Sequence, residues 1–276
     1  MLEARGIFFE YNGNKVLAAV RASVEKGGVV SIVGPNGAGK TTLLKCISGI
    51  LKPTLGTVHL DGRDALGMPR REIAKQLAYM PQSMFFRFPG TVFDTILSGR
   101  RPYFAWRPSL KDLEKVETII EEMELSELSM RDMDQLSSGQ VQKVLLARTM
   151  IQDTRYLLLD EPNSGLDLRH QMELLETVAA LAKGKGIGVM MAMHDLNLAA
   201  RFSDRIILLH HGKIFSAGVP AEIVTPAKIR DVYGVESIVT RDNGYLNVQV
   251  LCCSGEQELD KPGRLPNRLS ASGRKN

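Results

Sequence analysis

The fold is decided by the segment Val29-Val-Ser-Ile-Val33-Gly34-Pro35-Asn36-Gly37-Ala38-Gly39-Lys40-Thr41-Thr42. Its first five residues are mostly branched and apolar, which predicts a strand buried on both faces. The next eight match the pattern G-x-x-x-x-G-K-[ST], and a helical stretch follows to about Ser48. In this strand-loop-helix context, the loop N–H groups turn inward and form an anion-binding nest at a helix N-terminus.

The segment therefore predicts a site for a nucleoside triphosphate. Lys40 is expected to reach the β- and γ-phosphates, and the Thr41 hydroxyl to bind Mg²⁺. The alternative is an incidental glycine-rich turn with a surface lysine, which the flanking strand and helix disfavour. The predicted phosphate-binding residues are Gly34, Pro35, Asn36, Gly37, Ala38, Gly39, Lys40, Thr41 and Thr42.

A second segment carries two adjacent carboxylates. Tyr156-Leu-Leu-Leu-Asp160-Glu161 is an apolar strand that ends in two acids. Taken alone, such a pair is most simply a solvated strand end. Beside a phosphate-binding loop, it predicts Asp160 as a Mg²⁺ ligand and Glu161 as the base that takes a proton from the attacking water.

The remaining pattern predicts an α/β fold with inserted helices. Strands at 156–160, 188–193 and 205–209 alternate with helices, which favours a mostly parallel sheet. The stretches 7–11 and 16–24 flank an Asn-Gly turn and predict an antiparallel hairpin. Residues 83–153 have helical texture, including an amphipathic helix that begins after a Ser109/Asp112 capping box.

The C-terminal part has a different pattern. Residues 235–241 and 245–251 predict a hairpin across Asp242-Asn-Gly244. The chain after Ser254 consists largely of Gly, Pro, Ser and charged residues, and we expect it to be disordered. The expected division is a main domain over 1–240, a strand extension over 241–253 and a tail over 254–276.

Composition excludes several classes of protein. Lys and Arg exceed Asp and Glu by 35 to 31, a net charge of +4, so no strong field predicts a nucleic-acid partner. No apolar run approaches the about 18 residues of a membrane span. The N-terminal residues lack the features of a signal peptide, and three cysteines form no C-x-x-C pair, as expected in a reducing cytosol.

Further segments resemble the ATPases of the ABC family. Leu136-Ser137-Ser138-Gly139-Gln140 resembles the LSGGQ signature and lies twenty residues before Asp160. Ser164-Gly-Leu-Asp167 resembles the D-loop, and Tyr11 sits where the family stacks an aromatic ring on adenine. Gln82 resembles the Q-loop glutamine, and His194 resembles the switch histidine. The resemblance covers about residues 1–240 and implies a P-loop NTPase (ABC ATPase) fold with a mixed sheet, an antiparallel β-subdomain and an inserted α-helical subdomain.

The resemblance also implies how these residues act. Family members bind ATP and Mg²⁺ in head-to-tail dimers, with each nucleotide between one subunit's phosphate loop and the other's signature. Ser137, Gly139 and Gln140 would then contact the γ-phosphate of the partner's nucleotide, while Asp167 would couple the two sites. Gln82 would sense Mg²⁺ and the attacking water, and His194 would hold the γ-phosphate in line.

Two members of the predicted nucleotide site have open alternatives. Ser138 replaces the glycine usual at the third signature position. It is strained if that position needs positive φ, by about 1–2 kcal/mol, and harmless or even a cap if it begins a helix. Tyr11 is either the adenine platform or an ordinary packed aromatic residue.

An aromatic cluster predicts the partner. Seven of the sixteen aromatic residues fall within 22 positions: Phe85, Phe86, Phe88, Phe93, Tyr103, Phe104 and Trp106. One alternative assigns them to the core of the helical subdomain. In the other alternative, some of them are exposed in a groove that binds a helix of a partner. In ABC transporters, a helix of the membrane subunit docks in a groove at this place.

The segments 91–103 and 232–236 resemble the ATPases of iron-siderophore, haem and vitamin B12 importers. This implies an import ATPase that is peripheral on the cytoplasmic face of the plasma (inner) membrane. Its partners would be a second copy, two permease subunits and, indirectly, a substrate-binding protein, with no nucleic acid. The alternatives are an ATPase of another ABC transporter class, a soluble ABC ATPase acting on nucleic acid or ribosomes, and a non-hydrolysing scaffold.

Overall fold

The computed structural model describes residues 1–82 and 90–254. The strands are β1 (Leu2–Tyr11), β2 (Asn14–Val24), β3 (Val29–Val33), β4 (Leu55–Leu60), β5 (Arg63–Asp64), β6 (Leu77–Met80), β7 (Tyr156–Asp160), β8 (Gly188–Ala192), β9 (Arg205–His210), β10 (Lys213–Gly218), β11 (Val235–Asp242) and β12 (Tyr245–Cys253). The α-helices are α1 (Lys40–Ile47), α2 (Arg70–Ala74), α3 (Val92–Leu97), α4 (Leu110–Glu122), α5 (Ser138–Met150), α6 (Leu168–Lys185), α7 (Leu196–Phe202), α8 (Pro220–Ile223) and α9 (Pro226–Tyr233).

A six-stranded sheet forms the centre of the molecule. Its order is β10-β9-β3-β8-β7-β6, parallel throughout except for the antiparallel strand β10. Every residue of β3, β7 and β8 is buried, as their continuous apolar sequences predict. The predicted mixed, mostly parallel sheet is confirmed. Because β3, β7 and β8 are parallel neighbours, the segments that follow them meet at one edge.

An antiparallel sheet with the order β2-β1-β4-β5 covers one side. The predicted hairpin is confirmed, but its predicted start at Ile7 is wrong because β1 begins at Leu2. Leu2 pairs with Val24 and is fully buried, so this end of the strand is specified by pairing. One hydrophobic core lies between this sheet and one face of the central sheet, and a second core lies on the other face.

Residues 90–153 contribute helices to the second core. Buried residues of α3, α4 and α5 pack there. The Ser109/Asp112 capping box predicted at the start of α4 is present in full. Asp112 also accepts a hydrogen bond of 2.8 Å from buried Arg100, which donates to the Ile151 carbonyl at 3.1 Å. Among the described members of the aromatic cluster, some are packed and Trp106 is exposed, while the groove for a partner helix stays a prediction.

Phe93 is half-buried and packs against the core, and Trp106 is 94% exposed. Tyr103 is half-buried, and its hydroxyl donates to the Gln152 carbonyl at 2.8 Å. Phe104 is also half-buried. Phe85, Phe86 and Phe88 lie outside the described residues, and so does the tail from residue 255.

The predicted C-terminal hairpin is confirmed as β11 and β12, each slightly longer than predicted. It packs on α7 through Asn197, whose Oδ1 accepts from the Val248 amide at 2.6 Å. Arg201 lies over the Tyr245 ring at 4.6 Å. Within the described ranges, no helix combines the length and the apolar character needed to cross a bilayer.

Candidate functional site

The loop between β3 and α1 is curled around three glycines with positive φ. Gly34 has φ +153°, and a Cβ there would lie 2.1 Å from the Leu209 carbonyl oxygen at the end of β9. Gly39 has φ +104° and caps α1 in the left-handed region, which favours glycine. The first and last glycines of the motif are therefore required by close backbone approach and by conformation.

Lys40 lies inside this curl and is 5% exposed. Its Nζ donates to the carbonyls of Gly34 at 2.8 Å and Pro35 at 3.1 Å. Burial lowers the pKa of the Lys40 ammonium, and the charges of Glu161 and Asp160 oppose that shift. The ammonium is thus placed among loop carbonyls at the edge where the carboxylates lie.

Asp160 ends β7 beside the start of α1 and is 1% exposed. Its Oδ1 accepts from the Thr41 hydroxyl at 2.9 Å, which joins the two predicted Mg²⁺ ligands. Its Oδ2 accepts from the Tyr79 hydroxyl at 3.1 Å. Burial, followed by the nearby Asp160 charge, raises the pKa of Tyr79.

Sequence reasoning missed Tyr79. It lies on β6 in an apolar segment, where nothing distinguishes it from a core tyrosine.

Glu161 follows in the left-handed region, with φ +50°. A non-glycine residue there is uncommon, and this one is held by the 3.0 Å bond from its amide to the Ala192 carbonyl of β8. Gln82 Nε2 donates to Glu161 Oε2 at 2.5 Å, and His194 Nε2 contacts Oε1. The three predicted catalytic residues are therefore brought together around one buried carboxylate.

Most of these groups line one cavity of about 440 Å³, but Gly34, Pro35 and Asp160 are not among its lining residues. Its lining residues among those described are Val16, Asn36, Gly37, Ala38, Gly39, Lys40, Thr41, Thr42, Gln82, Glu161 and His194. The size falls within the about 300–1,000 Å³ typical of ligand pockets. Tyr11 is not among the lining residues; it is 46% exposed and packs edge-on against Phe9 at 4.7 Å. The adenine-platform role of Tyr11 stays a prediction.

The signature residues lie at the start of α5 and do not line this cavity. Ser137 is the N-cap, and its hydroxyl and the Gln140 side chain form a complete capping box. Ser138 is the first helical residue and does not adopt positive φ, so the helix-start alternative is correct. The residue that caps is Ser137 rather than Ser138. Asp167 caps α6 by accepting from the His170 amide at 2.9 Å.

Comparison with known proteins agrees with this geometry. The hemin import ATP-binding protein of Bordetella avium is 37% identical over 245 residues, which cover 86% of this chain and 94% of that protein. The petrobactin import ATP-binding protein of Bacillus subtilis is 32% identical over 249 residues, covering 90% and 99%.

A solved nucleotide-free ATP-binding cassette from an ABC transporter superposes with a TM-score of 0.73 at 26% identity. The match covers 84% of this chain and 94% of that one. Residues 17–164, more than half of the chain, match the family model described as ABC transporter. The fold, the motifs and these matches together show that the chain belongs to the ABC transporter family of ATP-binding proteins.

Proposed function

We propose that this chain is the ATP-binding and ATP-hydrolysing subunit of an ABC importer for a metal-chelate substrate. The observation that carries the proposal is the convergence of three groups on one cavity. These are the glycine-lined loop with Lys40, the Thr41 hydroxyl that donates to Asp160, and Glu161 between Gln82 and His194. Together they provide phosphate binding, metal binding and a proton acceptor, which are the parts that phosphoryl transfer to water requires.

The residues present fit a bound Mg²⁺. Among the described residues, no cluster of three or more His, Cys, Asp or Glu is arranged for a metal. Mg²⁺ bound to a nucleotide does not need one, since it takes one or two carboxylates together with waters and substrate phosphates. Asp160 and Thr41, joined at 2.9 Å, offer the hard oxygens for this coordination. When bound, the ion neutralises charge on the β- and γ-phosphate oxygens.

The hydrolytic step follows from the surroundings of Glu161. Loop N–H groups and the Lys40 ammonium bind the phosphates and favour charge on their oxygens. The Glu161 carboxylate takes a proton from water as the water oxygen forms its bond to the γ-phosphorus. The bond from that phosphorus to the bridging oxygen breaks, and ADP leaves with the bonding electrons. Gln82 and His194 contact the two oxygens of Glu161 and therefore fix its orientation.

A second copy of the chain completes the site. Ser137 and Ser138 are exposed, and their helix start carries N–H groups and a dipole suited to an anion. Because they do not line the cavity of their own chain, the nucleotide would meet the signature of a partner copy. The proposed assembly is a homodimer of this chain.

The cargo and partner assignments are supported by the relatives, whose names specify hemin and petrobactin import. We assign this chain an iron-siderophore, haem or cobalamin type of cargo, carried by two permease subunits fed by a substrate-binding protein. The chain would lie peripherally on the cytoplasmic face of the membrane. The modest net charge of +4 supports partners other than nucleic acid.

Two lysines on one helix test the nucleotide site. Lys40→Ala removes a charge-assisted phosphate contact, and we expect ATP affinity to fall roughly 10- to 100-fold. Lys45→Ala, in the last turn of the same helix, is the matched control and should change affinity less than about twofold. The measurement is equilibrium binding of ATP with Mg²⁺. Equal effects of the two substitutions would contradict the site.

Transport is tested separately, by isolating the tagged chain from membranes of its own host. The proposal expects a multi-span permease to co-purify and the chain's ATPase rate to change when that permease is present. Isolation of an active ATPase that associates with no membrane protein would contradict the importer assignment but not the nucleotide site.

A further inference from the structure

Three side chains of the same chain hold the segment 165–167, which contains the predicted D-loop aspartate. The Ser138 hydroxyl donates to the Gly165 carbonyl at 3.2 Å. Gln171 Nε2 donates to the Leu166 carbonyl at 2.8 Å. His170 Nδ1 lies 2.8 Å from Asp167 Oδ1. We call Ser138, His170 and Gln171 the clamp, because each one contacts a different residue of the segment.

Burial alone does not hold this segment in place. Gly165 and Asp167 are exposed, and only Leu166 between them reaches the core. Exposed backbone without a packed side chain adopts many conformations unless hydrogen bonds restrict it. The three contacts of the clamp add to two amide hydrogen bonds at Asp167, from His170 to the carboxylate at 2.9 Å and from Gln171 to the carbonyl at 2.9 Å. Within the segment, Gly165 and Leu166 are therefore restrained by side chains, and Asp167 is restrained by the helix N-terminus together with the His170 ring.

The clamp also joins two elements that are far apart in sequence. Ser138 begins α5, and the carbonyl it contacts lies 27 residues further along the chain. The His170 ring of α6 lies against Gly139, close enough that a Cβ at Gly139 would be 3.6 Å from the imidazole. The start of α5 and the segment 165–167 thus form one continuous surface.

We propose that Ser138 and His170 are positioning residues, which fix the segment 165–167 against the start of α5 before a second copy binds. The inference rests on the proposed function, in which both elements face the partner copy. Elements that are already arranged lose less conformational freedom on association, and their dimer is correspondingly more stable. Ser138 stands where the family usually has glycine, so its hydrogen bond comes from a side chain that glycine would lack.

Hydrogen exchange in the nucleotide-free chain tests the clamp itself. Ser138→Ala removes the hydroxyl at a helix position that suits alanine, and amides in a peptide covering 162–170 should exchange about two- to tenfold faster. Ser138→Thr retains the hydroxyl and should exchange as the native chain does. Ser129→Ala is the matched control, because it removes another exposed serine hydroxyl bonded to a carbonyl, that of Ser126 at 2.9 Å. Unchanged exchange in Ser138→Ala would overturn the clamp.

Kinetics test the positioning role. In Ser138→Ala and His170→Ala we expect kcat to fall about two- to tenfold, with equilibrium affinity of the single chain for ATP unchanged. Ser138→Thr should restore kcat. Faster exchange with an unchanged kcat would overturn the positioning role. If the native chain neither dimerises nor hydrolyses ATP, the proposed function fails, while the exchange measurement still decides whether the clamp exists.

Discussion

The two halves of the predicted site differ in how they are held. We call the first half, Lys40, Asp160 and Glu161, the phosphate edge. These side chains are held by burial beside the central sheet, where they are 5%, 1% and 6% exposed. We call the second half, the start of α5 together with the segment 165–167, the signature edge. It is held by local hydrogen bonds, and Ser137 and Asp167 are exposed caps of their helices. The phosphate edge is complete within one chain. In the proposed dimer, the signature edge acts on the nucleotide of the other copy.

The largest expected effect is at the buried edge. Glu161→Gln keeps the shape of the side chain but removes the proton acceptor, so kcat for ATP hydrolysis should fall roughly 10²- to 10⁴-fold. ATP affinity should be retained, because the loop and Lys40 are untouched. Glu173→Gln, on the exposed face of α6, is the control and should keep native turnover. A Glu161→Gln chain that hydrolyses ATP at the native rate would contradict the base assignment.

A glycine-to-alanine change distinguishes the two edges by stability. At Gly34 the new methyl group would collide with the Leu209 carbonyl in a backbone conformation that alanine rarely adopts. We expect the free energy of unfolding to fall by about 2–4 kcal/mol in urea denaturation. Retention of native stability would contradict the close approach of this loop to β9.

Gly139→Ala, the same change at the signature edge, should change the free energy of unfolding less than Gly34→Ala does, and in the opposite direction. Gly139 lies in the first turn of α5 without positive φ, and a methyl group there would make ordinary contact with His170. Alanine is the better helix former, so the free energy of unfolding should rise by up to about 1 kcal/mol. A loss as large as that expected for Gly34→Ala would show that the signature edge is also specified by burial.

The sequence predicted those parts of the molecule that depend on short-range signals. A few adjacent residues are enough to predict the strand before Gly34, the strand that ends at Asp160 and the Ser109 cap. The structure confirms all three. The resemblance placed Gln82 and His194 in the same nucleotide site as Glu161, but their direct contacts with the Glu161 carboxylate are seen only in the fold.

The features that sequence did not predict depend on contacts between distant residues. The start of β1 at Leu2 depends on pairing with β2, and the contact of Tyr79 with Asp160 depends on how β6 packs. His170 is exposed, and nothing in the sequence distinguishes it from an ordinary surface histidine; its contact with Asp167 is visible only in the fold. No periodicity or composition reports such contacts.

The most direct test of the central claim is sedimentation of the Glu161→Gln chain with ATP and Mg²⁺. Because this variant should bind ATP without hydrolysing it, we predict a stable dimer with one ATP per chain, and monomers when ATP is omitted. Adding Lys40→Ala to the variant should abolish the dimer. A chain that is saturated with ATP and remains monomeric at every concentration would contradict a site completed by a second copy.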